Sequence, residues 1–126
     1  MSCKILIVDD SKLARMSVIK VLNALYPDWS RVEAGNADEA LKLVQDATPD
    51  IAVLDFNMPG RDGLDLAAEL HQSNPQMPIA VLSANRQQEI ISRAESVNAA
   101  FLPKPVTEES LGAFLRGALL KLGKTG

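Results

Sequence analysis

The sequence predicts an α/β domain in which a parallel five-stranded sheet carries helices on both faces. Two observations lead there. Short continuous apolar runs of strand length stand at Lys4–Val8 (KILIV), 51–54 (IAVL) and 79–82 (IAVL), and such runs mark strands buried on both sides. Segments of helical periodicity separate them, so that strand and helix alternate five times, the pattern of a doubly wound parallel sheet. Right-handed crossovers leave few strand orders, and the commonest for five strands is 2-1-3-4-5.

The first strand leads into Asp9 and Asp10. Leu13, Met16, Ile19, Leu22 and Leu25 then repeat at helical spacing until Tyr26-Pro27 stops the helix. A shorter, more polar run at 31–34 reads as an edge strand. Asn36 and Glu39 form a capping-box pattern, and the helix they open carries Ala40, Leu41, Val44 and Ala47 before Pro49. After the strand at 51–54, the helix at 63–73 buries Leu64, Ala67, Ala68 and Leu70 and is closed by Pro75 and Pro78. The strand at 79–82 precedes a helix at 87–97 that presents Ile90, Ala94 and Val97. A weaker strand at 100–102 leads to Thr107, which caps a last helix with Leu111, Phe114, Leu115, Ala118 and Leu122 on one stripe. Residues 123–126 read as a loose end, and 1–126 as a single domain with its core at about 4–122.

Composition narrows the function. A net charge of −3, with basic residues scattered along the chain, gives no bulk attraction to nucleic acid or to an anionic membrane. The single cysteine, Cys3, excludes an internal disulfide framework and reads as a small buried residue at the strand entrance. No signal-peptide pattern opens the chain, and no apolar stretch approaches the ~20 residues that span a bilayer. The expected location is the cytoplasm.

In a parallel sheet all strands end at one edge, where ligands gather at the switch point of strand order. Strand one delivers Asp9 and Asp10 to that edge, strand three Asp55 and then Asn57, strand four Ser83 and Ala84, strand five Lys104. Each piece has a bland explanation. Asp9-Asp10-Ser11 can cap a helix, Ser83 can satisfy a backbone group, and Lys104 can be a solvated charge. Asp55 is harder to dismiss, because it closes an apolar strand where an unpaired carboxylate is costly. Clustered carboxylates repel unless a cation offsets them. With no His/Cys set at zinc spacing, an all-oxygen Mg²⁺ site is the natural reading. Lys104 and Ser83 add the positive charge and the donor that a bound phosphoryl group requires.

The patterns VDDS at 8–11, LDFNMPGRDG at 54–63, LSAN at 82–85 and FLPKP at 101–105 together resemble the CheY-like receiver domain of two-component response regulators, over essentially the whole chain. The resemblance implies a flavodoxin-like (βα)5 fold and an Asp55 nucleophile that takes a phosphoryl group from a phosphohistidine. The donor would be a histidine kinase or phosphotransfer protein. It further implies that Asp10, Asp55 and the Asn57 backbone carbonyl bind Mg²⁺, with Asp9 acting through a water. Lys104 would pair with the phosphoryl oxygens, and Ser83 and the amides of Asn57 and Ala84 would donate to them. The domain would then catalyse its own phosphorylation and dephosphorylation. Ser83 and Phe101 would form the switch, with the 87–122 face as the output surface toward a downstream protein. An ordinary core phenylalanine explains Phe101 equally well.

Two rivals stand beside this reading. An aspartate-nucleophile phosphohydrolase would use Asp55 and Asn57 as its pair, but needs its nucleophile near the first strand and a cap this chain lacks. A phosphorylation-independent interaction module would not need the full set of Asp9, Asp10, Asp55, Ser83 and Lys104. Departures from the family pattern are small. Ser83 stands where many members have threonine, and Asn98-Ala99-Ala100 replaces a glycine-containing turn, with Asn98 suited to a left-handed cap. Trp29 is expected to pack as a lid on its loop, and His71 to be a solvated surface residue.

Overall fold

The computed structural model describes residues 3–123. Five strands, β1 (Lys4–Val8), β2 (Ser30–Ala34), β3 (Ile51–Asp55), β4 (Ile79–Ser83) and β5 (Ala100–Pro103), alternate with five helices. These are α1 (Lys12–Leu25), α2 (Ala37–Ala47), α3 (Gly63–Ser73), α4 (Gln88–Ser96) and α5 (Glu108–Leu122). All pairings are parallel and the order is β2-β1-β3-β4-β5, as the sequence predicts. The strands run one residue further than their apolar cores, so Asp55 and Ser83 are the last residues of β3 and β4 rather than the first of a loop.

The pleat sorts the apolar side chains into two cores. Ile5 and Ile7 of β1, Ile51 and Val53 of β3, and Ala80 and Leu82 of β4 pack with Val18 and Leu22 of α1 and Leu111 and Leu115 of α5. Their alternates, among them Leu6, Val8, Ala52, Leu54 and Val81, pack with residues of α2, α3 and α4. Each buried Val, Leu or Ile among them contributes about 1.5–3 kcal/mol, so both sides of the central strands are firmly specified. Among the described residues no helix is long and apolar enough to cross a membrane.

The buried helix stripes differ in places from those the spacing predicts. Leu13 and Met16 are exposed (76% and 52%), whereas Leu22 is buried as expected, Ile19 and Leu25 pack against the core, and Val18 joins them. Three residues turn an α-helix by about 300°, so a strict three-residue repeat precesses by about 60° per step and cannot stay on one face. In α3 Leu66 is buried while Ala68 is only half-buried, and in α5 Leu119 joins the core. His71 is half-buried.

The caps follow the sequence more closely. Asn36 accepts from Glu39 N at 2.8 Å, although the Glu39 carboxylate reaches back to Gly35 N at 3.1 Å rather than to the cap itself. Thr107 and Ser110 make a reciprocal capping box. Asn98 takes the left-handed conformation (φ 60°). Trp29 is buried and stacks on Tyr26 with ring centroids 4.2 Å apart, and Cys3 is buried at the entrance of β1.

Candidate functional site

The same pleat that sorts the core assembles the strand-end groups. Asp9 continues the Ile5, Ile7 series, Asp55 the Ile51, Val53 series, and Lys104 follows Leu102 by two. All three therefore lie toward the α1/α5 side of the sheet edge. Ser83 continues the Ile79, Val81 series, which with Phe101 belongs to the core under α3 and α4. The edge thus carries acids and an ammonium on one side, and a hydroxyl and an aromatic ring on the other.

Carboxylate oxygens of Asp9, Asp10 and Asp55 lie within 4.8 Å of one another. Asp9 and Asp55 are both buried and Asp10 is exposed. Lys104 Nζ is 2.6 Å from Asp55 Oδ1 and 3.8 Å from Asp9 Oδ2. The 2.6 Å contact is an ion pair without hydrogen-bond direction, so the buried Asp55 Oδ1 has no hydrogen-bond donor among the described residues. Asp9 Oδ1 accepts from Ser11 N at 2.9 Å, whereas the helix cap is Ser11, whose hydroxyl accepts from Ala14 N at 3.2 Å. Burial raises the Asp9 carboxyl above its ordinary range, and Asp55 and Asp10 add to this against the opposing pull of the Ser11 amide and Lys104. The carboxylate of Asp10 receives no hydrogen bond or ion pair among the described residues. Three carboxylates facing one ammonium leave an uncompensated negative excess, which suits a cation.

The Ser83 hydroxyl is turned into the β4–α4 loop, donating to Asn85 O at 3.2 Å and accepting from Asn85 N at 3.0 Å. Its local-backbone explanation is therefore realised in this conformation. Phe101 is half-buried and packs on the α3/α4 core. Asn57 and Ala84 are exposed on the loops that follow β3 and β4. A groove of about 700 Å³ opens beside the acids between α1 and the β5–α5 connection, lined by Asp9, Ala14, Val18, Leu82, Lys104 and Val106.

Gly63, the first residue of α3 and the last of the LDFNMPGRDG pattern, bears directly on the site. A Cβ there would stand 2.2 Å from the Asp55 carbonyl oxygen and 2.9 Å from its carbon. Gly63 N also donates to Phe56 O at 2.9 Å, folding the loop back against the end of β3. Arg15 was not singled out at all. It lies on α1 and donates through Nη1 to the Asp9 carbonyl oxygen at 2.5 Å. The Asp62-Gly63 dipeptide is a turn signal in its own right, whereas nothing in the sequence marks Arg15.

Comparison with known proteins places these features in context. The sequence profile of the response regulator receiver domain matches residues 5–116. The positive alginate biosynthesis regulatory protein of Pseudomonas aeruginosa is 40% identical over 118 residues, covering 90% of this chain and 46% of that protein. The transcriptional regulatory protein PdtaR of Mycobacterium tuberculosis is 36% identical over 110 residues, covering 86% of this chain and 52% of that protein. The chain spans about half the length of these curated relatives. Among solved structures, the chemotaxis protein CheY4 of Vibrio cholerae superposes with a TM-score of 0.84 at 28% identity, covering 94% of this chain and all of that one.

Proposed function

This chain belongs to the response regulator receiver domain family and is the receiver domain of a two-component response regulator; from that premise we propose that Asp55 is its phosphoacceptor, acting as a single domain over 1–126. The observation that carries the proposal is the buried Asp55 carboxylate at a strand end, 2.6 Å from one ammonium and inside a three-carboxylate cluster. A merely structural arrangement would gain nothing from three clustered acids, because each added carboxylate raises the cost of ionising the others.

The donor set suits Mg²⁺. It is all oxygen, it holds excess negative charge, and the Asp10 carboxylate has no hydrogen bond or ion pair among the described residues. Asp9, Asp10, Asp55 and the Asn57 backbone carbonyl would hold the ion. When bound, it would supply positive charge that offsets both the carboxylates and the transferring phosphoryl oxygens.

The rest is done by side chains and backbone amides of this chain. An Asp55 carboxylate oxygen attacks the phosphorus of a phosphohistidine on a histidine kinase or phosphotransfer protein. The P–N bond breaks, the donor imidazole leaves with the electron pair, and the new P–O bond makes an acyl phosphate. Lys104, already on Asp55, donates to the phosphoryl oxygens, as do the amides of Asn57 and Ala84. The groove beside Asp9 and Lys104, with exposed Leu13 and Met16 nearby on α1, supports docking of the donor on that side.

Ser83 must exchange its Asn85 partners for a phosphoryl oxygen, and it lies on the same face of the sheet as Phe101. Two alternative commitments of one hydroxyl make a two-state element, which phosphorylation biases by population shift. The 87–122 face then presents the output to a downstream protein, in the cytoplasm where the kinase domain acts.

Incubation with acetyl phosphate and MgCl₂, followed by intact mass measurement, tests the proposal. One phosphoryl adduct is expected, absent in Asp55→Asn. An unlabelled wild-type chain, under conditions that label a control receiver, would favour the phosphorylation-independent module. Steady turnover of simple phosphate esters would favour the phosphohydrolase.

A further inference from the structure

We propose that Arg15 is a positioning residue for the divalent-cation site, holding the Asp9–Asp10 peptide in the orientation that brings their carboxylates together with Asp55. The inference rests on the reading of that cluster as a cation site. Arg15 carries a half-buried guanidinium (side chain 17% exposed) that does two things at once. Its Nη1 donates to the Asp9 carbonyl oxygen at 2.5 Å, and its Nε donates to Glu33 Oε1 at 3.0 Å. Glu33 lies on β2, paired in register with Ile7 of β1. The guanidinium therefore clamps the end of β1 to β2 from α1, and its rigid planar fork is what allows two acceptors to be held in fixed relation.

The Asp9 carbonyl belongs to the peptide unit that joins Asp9 to Asp10, so its direction fixes where both side chains start. On the preceding side, Asp9 N donates to Ala34 O at 3.1 Å. With its amide held by β2 and its carbonyl by Arg15, Asp9 is fixed at both ends. Asp10 depends on this more than its neighbours do. Asp55 has Lys104 and Asp9 has Ser11, but the Asp10 carboxylate has no partner of its own among the described residues. It lies within 4.8 Å of the other two carboxylates, and no side-chain contact among the described residues holds it there.

The field of Arg15 would act in the opposite direction. A positive charge near a cation site opposes cation binding, so a residue acting by charge alone would tighten Mg²⁺ binding when removed. A positioning residue weakens it. Outer-shell groups that orient metal ligands are worth roughly 10–100-fold in affinity.

The test is Mg²⁺ affinity by isothermal titration of the full chain with MgCl₂, well below the melting temperature of each variant. Arg15→Gln is expected to bind roughly tenfold more weakly despite its lost positive charge, and Arg15→Lys, which keeps the charge without the fork, to recover only part of this. Glu33→Gln leaves Arg15 in place and is expected to weaken binding in the same direction. The double variant should be no weaker than Arg15→Gln, since the two act as one unit. Arg15→Gln binding as tightly as wild type or tighter, even with a lowered melting temperature, overturns the inference, as does Glu33→Gln binding like wild type. A wild-type chain that binds no Mg²⁺ removes the cation site itself, and this inference with it. Normal wild-type binding with an unaffected Arg15→Gln removes only the role of Arg15.

Discussion

At the scale of single residues, the site is a set of costs that neighbours offset. Asp9 is the clearest case, because burial raises its carboxyl above the ordinary range and Asp55 and Asp10 push the same way, against the Ser11 amide and Lys104. A carboxyl whose folded pKa exceeds its unfolded one binds protons more tightly when folded, so its ionisation destabilises the fold as pH rises between the two values. At neutral pH in divalent-free buffer, Asp9→Asn is expected to raise the melting temperature. The difference should close as pH falls below the unfolded carboxylate value, where wild-type Asp9 is neutral in both states. A variant less stable than wild type at neutral pH would contradict this. Gly63 imposes a different limit, since its Cα lies so close to the Asp55 carbonyl that no side chain fits. Gly63→Ala is expected to cost about 1–3 kcal/mol by overpacking in denaturant titration. It should also reduce phosphoryl labelling of whatever fraction remains folded, because the displaced backbone is that of Asp55.

At the scale of elements, the helices differ in how firmly they are held. α5 is capped by Thr107 and Ser110 and buries Leu111, Leu115, Ala118 and Leu119. α4 has no side-chain cap at Gln87 and buries only Ile90 and Ala94. Its tie to α3 is Arg93, which pairs with Asp62 at 3.3 Å and Asp65 at 3.5 Å. Asp62 is itself the N-cap of α3 and adjoins Gly63, so α4 is linked by charge to the loop that packs on Asp55. Partly exposed ion pairs contribute about 0.2–1 kcal/mol, a small share of global stability but a larger one of the stability of a lightly packed helix. Arg93→Gln is therefore expected to speed amide exchange within α4 while leaving α5 unchanged. Added salt should do the same to the wild type. Equal protection of α4 in the variant and wild type would show that the pair does not hold it.

At the scale of the whole molecule, what was legible in the sequence was what continuous burial and local caps dictate. Apolar runs buried on both faces specify strands almost without ambiguity, and the residues at their ends are then brought to one edge by topology. That is why the sequence alone places Asp9, Asp10, Asp55, Ser83 and Lys104 at one sheet edge. What stayed hidden depends on approach through space. Arg15 reaches a carbonyl six residues back and a glutamate on another strand, Gly63 matters because of the backbone it touches, and Arg93 finds its partners on a different helix. Leu13 and Met16 fall off the buried stripe because a three-residue spacing drifts around the helix.

The central claim is that Asp55 is the side chain that carries the phosphoryl group. Borohydride reduces an acyl phosphate to an alcohol, so reduction of the acetyl-phosphate-treated chain followed by peptide mass mapping identifies the modified side chain directly. Residue 55 is expected to be recovered as homoserine, in proportion to the phosphoryl adduct. A labelled chain in which Asp55 survives reduction, while Asp9 or Asp10 is reduced instead or the single histidine, His71, retains the phosphoryl group, would contradict the account.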